Sequence, residues 1–235
     1  MSSLKQALGA AAESLAQLLD GVFADLAALS AAAAGALAAS APSRSTLESL
    51  RPVVERIVLA QDGLVESAGV SVVSGLLADA ETWHQWWSLV GGKVVFVPHN
   101  LNPASVNFYD YTEMTWFQGP LASGRPKLVG PYIDFGGAFD RKVVTAAQPV
   151  LRDGRAAAVA GADLSMDHLE RAFLRKLGRR DEDVALITET GKVVASNSAR
   201  FAPGTRFEGP RAGLRSVPIP AAALASPPWL LIVAG

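Results

Sequence analysis

The sequence contains no cysteine and has almost no net charge. Without cysteine the chain can form no disulfide, offers no thiolate nucleophile and cannot bind zinc through sulfur, which fits a reducing compartment. Lysine and arginine total 21 and aspartate and glutamate total 22, so the formal net charge is -1. A chain without excess positive charge has no long-range field to attract nucleic acid or an anionic membrane. We therefore expect neither among its partners.

Histidine and catalytic sequence motifs are scarce as well. His84, His99 and His168 are widely separated and lack the H-x-x-x-H spacing of a metal site. The G-x-S-x-G nucleophile motif, the G-x-x-x-x-G-K phosphate loop and the dinucleotide G-x-G-x-x-G motif are all missing. We therefore expect no metal, no cofactor and no enzymatic activity.

One catalytic alternative, a small hydrolase with two carboxylates, stays open. Its candidate side chains are Asp110, Glu113, Asp134 and Asp163. Acid/base hydrolysis needs two such groups a few ångströms apart, and spacing along the chain does not decide which of them meet.

No apolar run reaches the roughly 18 uncharged residues of a typical membrane helix without interruption. The stretch LAALSAAAAGALAASAPS is the closest, but Asp20 and Asp25 precede it and no basic region adjoins it. Alanine is also too weakly hydrophobic to form the centre of a signal peptide. The sequence therefore predicts a cytoplasmic protein without an anchor.

The N-terminal part of the chain has a helical pattern. Apolar residues recur at three- and four-residue spacing over residues 3–39, which predicts one long amphipathic helix with an interruption near Gly35. Ser45 and Glu48 form the pattern of a capping box, which starts a second helix running toward Gln61. Such helices pack on one another or on a second copy of the chain, so a homodimer through them is one alternative.

The tryptophans of the segment LLADAETWHQWWSLV also follow a helical spacing. Trp83, Trp86 and Trp87 stand at i, i+3 and i+4, which would place three rings on one helix face against the core. The flanking segments AGVSVV and GGKVVFVPHN have the composition of strands. We therefore predict a strand, a helix and a second strand here.

The remainder of the chain alternates hairpins with one helix. The RDGR turn connects two β-rich runs, and the segment SMDHLERAFLRKLG follows as a helix with Ser165 as N-cap and Gly178 as C-cap. A second hairpin turns at TGK, and the chain closes on the apolar PWLLIVAG. The fold class is therefore α+β on antiparallel sheet, with long N-terminal helices, a main lobe and a smaller β-rich second lobe.

The stretch FYDYTEMTWF, residues 108–117, concentrates rings and carboxylates in a chain that is only 7% aromatic. A small ammonium ion gains about 0.5–2 kcal/mol over an aromatic face, and a nearby carboxylate neutralises its charge. The stretch therefore indicates a site for a small cation. The alternative is that its rings only fill the core.

The order of several motifs resembles the Cache family, the PAS-like extracytoplasmic sensor modules of bacterial receptors. The resemblance covers about residues 68–177 and is carried by Trp116, GPY at Tyr132, QPV, the RDGR hairpin and GADLS at Asp163. It implies a long N-terminal helix and a central antiparallel sheet that holds a ligand above it. The segment from Asp181 onward resembles a reduced second lobe, so the expected domains are residues 1–62, 63–178 and 179–235.

The resemblance also implies a set of ligand-binding residues. Tyr109, Trp116, Tyr132 and Asp163 match pocket positions of the family's amine- and amino-acid-binding members, with Asp163 as the ammonium anchor. Phe117 stands where the family has a tyrosine, which loses a hydroxyl but keeps a ring.

The more serious departure is Met114, which stands where the family has an arginine. That arginine would bind the α-carboxylate of an amino acid in a bidentate pair, which a thioether cannot do. An amine without that carboxylate is therefore the better candidate, and Glu113 is expected to add a second anion. Asp134 is also predicted to be a ligand-binding residue. Arg125, Arg141 and Lys142 are the candidates to replace this arginine, and the alternative is that they are solvated surface charges.

The sequence therefore predicts a non-enzymatic sensor module for a small amine or an amino-acid-like metabolite, which acts through a separate signalling partner. The other two interpretations remain open. One is a structural or interaction protein that assembles through its N-terminal helices and has no open pocket. The other is the carboxylate hydrolase.

Overall fold

One uninterrupted helix, α1 (Ser2–Leu37), begins the computed structural model, which describes residues 2–60, 62–135, 141–208 and 214–234. The helix passes through Gly35 without the predicted break, since an isolated glycine costs a helix only about 1 kcal/mol. Its regularly spaced apolar side chains are buried in the main core: Leu4, Leu8, Leu15, Leu19, Val22, Leu26, Leu29 and Leu37. The amphipathic pattern is thus confirmed.

The same helix bears on the prediction that the chain has no membrane span. By length and composition, residues Ser3–Leu37 are long and apolar enough to cross a membrane, with 39% of the tested window buried in the folded chain. In this structure the helix packs on the later helix Met166–Leu177 and on the strands Arg141–Arg152 and Arg215–Ile219. The apolar face of the helix is therefore packed against the core of the domain.

Two short helices, α2 (Arg44–Glu48) and α3 (Arg51–Ala60), replace the predicted single helix. Ser43, not Ser45, caps α2, and its backbone N–H donates to the Thr46 hydroxyl at 3.1 Å. The helix is divided because a proline fits the first turn of α3 and cannot continue an existing helix. The predicted end at Gln61 lies outside the described residues.

The main lobe is built on a six-stranded antiparallel sheet in the order β3-β2-β1-β6-β5-β4. Its strands are β1 (Val65–Val72), β2 (His84–Val90), β3 (Lys93–Phe96), β4 (Lys127–Asp134), β5 (Arg141–Arg152) and β6 (Arg155–Ser165), with helices α4 (Thr115–Ser123) and α5 (Met166–Leu177). We call this unit the large-sheet lobe. The RDGR hairpin and the Ser165 and Gly178 caps of α5 lie where they were predicted.

The predicted tryptophan helix is wrong, because residues 84–90 form strand β2. Strand alternation sends Trp86 to one face of the sheet and Trp87 to the other, where Trp87 joins the main core. The helical spacing was misleading because pairing with β1, in which Gly69 lies opposite Trp86, decides the conformation.

A second, four-stranded antiparallel sheet has the order β8-β7-β10-β9 and forms the small-sheet lobe. Its strands are β7 (Asp183–Thr188), β8 (Val193–Ser196), β9 (Arg215–Ile219) and β10 (Trp229–Ala234). Helix α1 packs on strands of both sheets, so one apolar core runs through both lobes. The fold class is confirmed, and the domain boundaries at residues 62 and 178 stay a prediction.

The two faces of the large sheet differ in what covers them. One face packs on α1 and α3 through small aliphatic side chains such as Ala146, Ala160 and Ala162. The opposite face is covered by a smaller cluster centred on Tyr111 and Trp116. We call this second face the aromatic face, and the candidate site lies on it.

Glycines in adjacent strands make room for an indole on the aromatic face. Gly69 lies opposite both Trp86 and Gly161 in the sheet. A Cβ added at Gly69 would lie 2.7 Å from the Trp86 ring and 2.1 Å from the Gln85 carbonyl oxygen, and a Cβ added at Gly161 would lie 2.8 Å from the same ring. The two glycines therefore let Trp86 lie close against the backbone.

Gly161→Ala is expected to destabilise the protein by about 1 to 2 kcal/mol, because the added methyl overpacks against a ring that is already hydrogen-bonded in place. Urea unfolding would measure the change. Gly9→Ala in α1 is the control for a methyl group added without a clash, since nothing lies within 4 Å of its added Cβ, and it should not destabilise the protein because alanine favours a helix. A Gly161→Ala protein as stable as wild type would show that the ring does not need the glycine.

Candidate functional site

The candidate site is a small cavity on the aromatic face, above β1, β2, β5 and β6. We call it the inner cavity. Its lining consists of two carboxylates and six aromatic rings: Asp134, Asp163, His84, Trp86, His99, Tyr109, Trp116 and Tyr132. No lysine or arginine is part of this lining within the described ranges of the chain.

Asp163 lies at the base of this cavity and is only 6% exposed. Cross-strand register places Ser67 of β1 and Thr145 of β5 directly beside it. Their hydroxyls donate to its two oxygens, at 2.5 Å from Ser67 Oγ to Oδ2 and at 2.6 Å from Thr145 Oγ1 to Oδ1. A carboxylate has about four lone-pair sites, so both oxygens retain acceptor capacity toward the cavity.

Two rings extend this hydrogen-bond network. Trp86 Nε1 donates to Ser67 Oγ at 2.9 Å. Tyr132 OH lies 2.5 Å from Thr145 Oγ1 and is the donor, because the single threonine proton goes to Asp163. Each chain of donors therefore ends on the carboxylate and stabilises its charged form.

Burial opposes that charge and raises the pKa of Asp163 from its usual 3.8 to about 6. The nearby Asp134 carboxylate raises it further, whereas the hydrogen bonds from Ser67, Thr145 and Trp86 lower it. At neutral pH Asp163 is therefore a buried anion, and no cation of the cavity lining pairs with it in the described residues.

Aromatic rings form the walls around the carboxylate. His84 stacks on Trp86 with ring centroids 4.6 Å apart, and His99 meets His84 edge-on at 4.4 Å. Tyr109 lies 4.7 Å from His99, and Trp116 lies 5.8 Å from Trp86. These rings surround one small volume with π-electron faces, which attract cations.

Both histidines of the cavity are neutral at pH 7. Burial lowers the pKa of His99 to about 4, although the hydrogen bond to the Val97 carbonyl opposes this effect. Burial, with repulsion from His99, also lowers the pKa of His84. Because a carbonyl only accepts, His99 Nδ1 donates to it at 3.0 Å. The imidazoles therefore do not repel a cationic guest.

The inner cavity is nearly closed, with a free volume of about 10 Å³. That is room for one water molecule at most. Trp116 and Tyr132 also line a larger groove outside it, so these two rings form the wall between the cavity and the groove. A ligand larger than water must therefore displace side chains on entry.

Five of the eight predicted site residues line the inner cavity: Tyr109, Trp116, Tyr132, Asp134 and Asp163. They come from three separate parts of the chain, and the folding of the large sheet brings them together. Asp134, which is half-buried, supplies the second anion.

The other three predicted residues lie outside the inner cavity. Glu113 is exposed, because the short 3₁₀ turn Tyr111–Glu113 points it to solvent. Met114 is 36% exposed and lines the outer groove. Phe117 is buried against Tyr111, with ring centroids 5.0 Å apart, because the turn of α4 directs it into the apolar cluster beside the cavity. Phe117 therefore contributes a packing contact in this cluster.

Sequence reasoning missed His84, Trp86 and His99. The available signal was strand alternation in HQWWSLV, which places His84 and Trp86 on one face. This alternation was overlooked because the tryptophans of the same segment also have the spacing of a helix face. None of the three proposed replacement cations lines the inner cavity: Arg141 pairs with Glu66 at 3.3 Å, Lys142 bonds the Pro203 carbonyl and Arg125 lies in the groove.

The comparisons with known proteins agree with this architecture. Residues 98–171 match the family model described as the first PDC sensor domain of methyl-accepting-chemotaxis-protein-like receptors. Residues 98–171 are therefore similar to a PDC sensor domain of the Cache type. The matched residues include α4, β4, β5 and β6 and six of the eight residues that line the inner cavity. The resemblance seen in the sequence is confirmed.

Solved structures share the fold of this chain over nearly its whole length. The ligand-binding domain of the Pseudomonas fluorescens chemoreceptor CtaA, in complex with L-valine, is 16% identical with a TM-score of 0.67, covering 97% of this chain and 94% of that one. That of Pseudomonas aeruginosa PctB, in complex with L-Arg, is 16% identical with a TM-score of 0.65, covering 98% and 92%. A comparison with curated protein sequences finds no match.

A third similar structure is the extracellular domain of the putative histidine kinase mmHK1S-Z3. It is 12% identical with a TM-score of 0.69 and covers 99% of this chain and 94% of that one. The matched family model describes a sensor domain, whereas the cytoplasmic location and the dimer predicted from the sequence find no support in these comparisons.

Proposed function

We propose that this chain is an extracytoplasmic, non-enzymatic sensor domain whose inner cavity binds a small organic amine. The ammonium group of the ligand pairs with Asp163, and Tyr109, Trp116 and Tyr132 form the aromatic walls around it. A separate signalling partner or an attached output domain responds to the binding of this ligand. The observation that carries this proposal is the buried Asp163 carboxylate, which accepts hydrogen bonds from the Ser67 and Thr145 hydroxyls, has no lysine or arginine beside it in the described lining and faces a ring-lined cavity.

The location and the general class of ligand rest on the similar structures. One of them is an extracellular domain, and the two chemoreceptor domains were solved with the amino acids L-valine and L-Arg. Those ligands carry an ammonium group that a buried aspartate can hold. The same chemistry supports an amine at Asp163.

The absence of an α-carboxylate from the ligand is argued from Met114. It stands where the family resemblance implies a carboxylate-binding arginine, and its side chain faces the outer groove. With two carboxylates and neutral imidazoles in the cavity lining, an additional ligand carboxylate would be repelled and left unpaired. The second anion, Asp134, favours an amine with a second positive group.

Matched pairs of ligands test the proposal. Isobutylamine is L-valine without its carboxylate, and agmatine is L-arginine without it. We expect each amine to bind at least tenfold more tightly than its amino acid, with agmatine the stronger of the two amines because it carries two cations. Isothermal titration and thermal shift at pH 7.5 measure this, since a ligand of the folded state raises the melting temperature.

The opposite order would contradict the proposal. If the amino acids bind more tightly than the amines, another group of the protein binds the α-carboxylate of the ligand, and the domain is an amino-acid sensor. If only dicarboxylates bind, the assignment of Asp163 as ammonium anchor is wrong. Glu113→Gln is the control variant, because this exposed carboxylate lies outside the cavity and its loss should leave all four affinities unchanged.

The nearly closed cavity also agrees with the alternative of an interaction protein without an open pocket. Failure of every amine to bind would favour that alternative. The hydrolase alternative has two carboxylates lining one cavity and a raised pKa at Asp163. Because the free volume is only about 10 Å³, a substrate would have to displace side chains as an amine does, so this volume does not distinguish the hydrolase from the sensor.

A further inference from the structure

A second and larger cavity lies between the two lobes, beside the inner cavity. We call it the inter-lobe groove, and its volume is about 800 Å³. Helix α4 and strand β4 form one wall, and the β7–β8 turn with the segment before β10 forms the other. Small-molecule sites typically have volumes of about 300–1,000 Å³, so the groove is large enough for a ligand of its own.

The inter-lobe groove has an apolar part contributed by both lobes. Leu128, Val129 and Met114 line it from the large-sheet lobe, and Leu224 and Trp229 line it from the small-sheet lobe. An aromatic ring or an alkyl chain bound here would remove this surface from water. That burial contributes a favourable free energy of about 25 cal/mol per Å² of apolar surface.

The charged side chains of the groove are mainly positive. Arg125, Lys127 and Lys192 line it, against the one acid Glu189. In the described part of the chain none of the three cations forms an ion pair. Lys192 is half-buried, and its Nζ donates to the Pro131 carbonyl oxygen at 3.1 Å, which holds the ammonium at the groove. The groove therefore favours an anion.

The N-terminus of α4 adds to this preference. The nine-residue helix begins at Thr115, and its N-cap residue Met114 has no side chain able to accept from the first N–H groups. Met114 and Thr115 both line the groove. Because a helix N-terminus carries partial positive charge, a carboxylate placed there would be stabilised.

We propose that the inter-lobe groove is a second binding site, for a small carboxylate with an apolar body. The carboxylate binds between Lys192 and the N-terminus of α4, with Arg125 and Lys127 supplying further positive charge. The apolar body lies on Met114 and Trp229. Since the two walls belong to different lobes, this ligand bridges the lobes, and its chemistry is opposite to that of the amine in the inner cavity.

Phenylacetate is the probe, and the neutral phenylacetamide of nearly the same shape is its matched control. Isothermal titration at low ionic strength should show phenylacetate binding at least tenfold more tightly than the amide. The same difference should persist in Asp163→Asn, because that residue does not line the groove. The test therefore succeeds or fails independently of the amine site.

Lys192→Met removes the charge and keeps an unbranched apolar side chain. It should lower the affinity for phenylacetate at least fivefold and leave that for phenylacetamide unchanged. Lys142→Met is the matched control, because Lys142 Nζ also donates to a proline carbonyl of the other lobe, that of Pro203 at 3.2 Å, but lies outside the groove. Lys142→Met should therefore leave phenylacetate binding unchanged.

Gly119→Leu is a second variant that does not remove an inter-lobe hydrogen bond. Gly119 lines the groove on α4, and its added Cβ would lie 3.3 Å from the flexible Lys127 side chain. The leucine should occupy the part of the groove beside Lys127, where the ligand is proposed to bind, and lower phenylacetate affinity at least tenfold. Equal affinity for the acid and the amide overturns the proposal, as does binding that both Lys192→Met and Gly119→Leu leave unchanged.

Discussion

Asp163→Asn is expected to lower the affinity for a bound amine by about a hundredfold or more, while the protein still folds. Removing one partner of a buried, hydrogen-bonded charge pair costs about 2–5 kcal/mol, and a hundredfold change corresponds to about 2.7 kcal/mol. The amide keeps the shape of the carboxyl group and one acceptor oxygen. The ammonium group, however, loses the negative charge that compensates its desolvation.

Isothermal titration of agmatine and isobutylamine into both proteins measures this effect. Urea unfolding of the two unliganded proteins shows whether the fold is kept. Thr145→Val extends the test, because it removes only one of the two hydroxyl donors to Asp163. This variant should weaken amine binding less than Asp163→Asn does. Unchanged amine affinity in a folded Asp163→Asn protein would eliminate Asp163 as the anchor.

The unliganded protein is expected to gain stability from Asp163 as the pH falls from 7 toward 4.5. Burial and Asp134 raise the pKa of Asp163 to about 6 in the folded state, against 3.8 for an unperturbed aspartate. The folded state therefore holds this proton more tightly than the unfolded state. Its contribution is fully present below pH 3.8 and is lost as the pH rises through about 6.

A pKa raised from 3.8 to about 6 corresponds to about 3 kcal/mol in total, of which about 2 kcal/mol should appear between pH 7 and pH 4.5. The quantity to measure is the difference in unfolding free energy between wild type and Asp163→Asn, which cancels the titration of other carboxyls to first order. The titratable groups facing Asp163 are Asp134, His84, His99, Tyr109 and Tyr132.

The interval ends at pH 4.5 because His99, with a pKa of about 4, becomes charged below it. Amine binding should follow the opposite course and weaken about tenfold per pH unit below 6, as the anchoring carboxylate takes up its proton. A stability difference that does not change between pH 7 and pH 4.5 would show that Asp163 is not a desolvated anion.

Much of the fold could be predicted because local rules dictate it. The three- and four-residue spacing of leucines gave α1, the RDGR turn gave the β5–β6 hairpin and Ser165 gave the start of α5. In each of these cases one segment and its own turn or cap residues carry the information.

Predictions failed where a second segment decides the structure. Trp86 has a helical spacing to Trp83, but the strand opposite it offers Gly69 and backbone partners, so β2 forms instead. Glu113 was the predicted second anion, yet Asp134 is the second carboxylate that lines the cavity. Only the path of β4 along β5 brings Asp134 to the cavity, whereas the turn at Glu113 faces solvent.

The sequence by itself determined the helix periodicity, the hairpin turns and the supply of aromatic and acidic side chains between residues 108 and 163. The tertiary structure alone decided that Ser67 and Thr145 flank Asp163, that His84 and His99 join the rings around it, and that a positive groove opens between the lobes. The physical reason is that strand register and lobe packing depend on contacts between residues far apart in sequence, which no local pattern encodes.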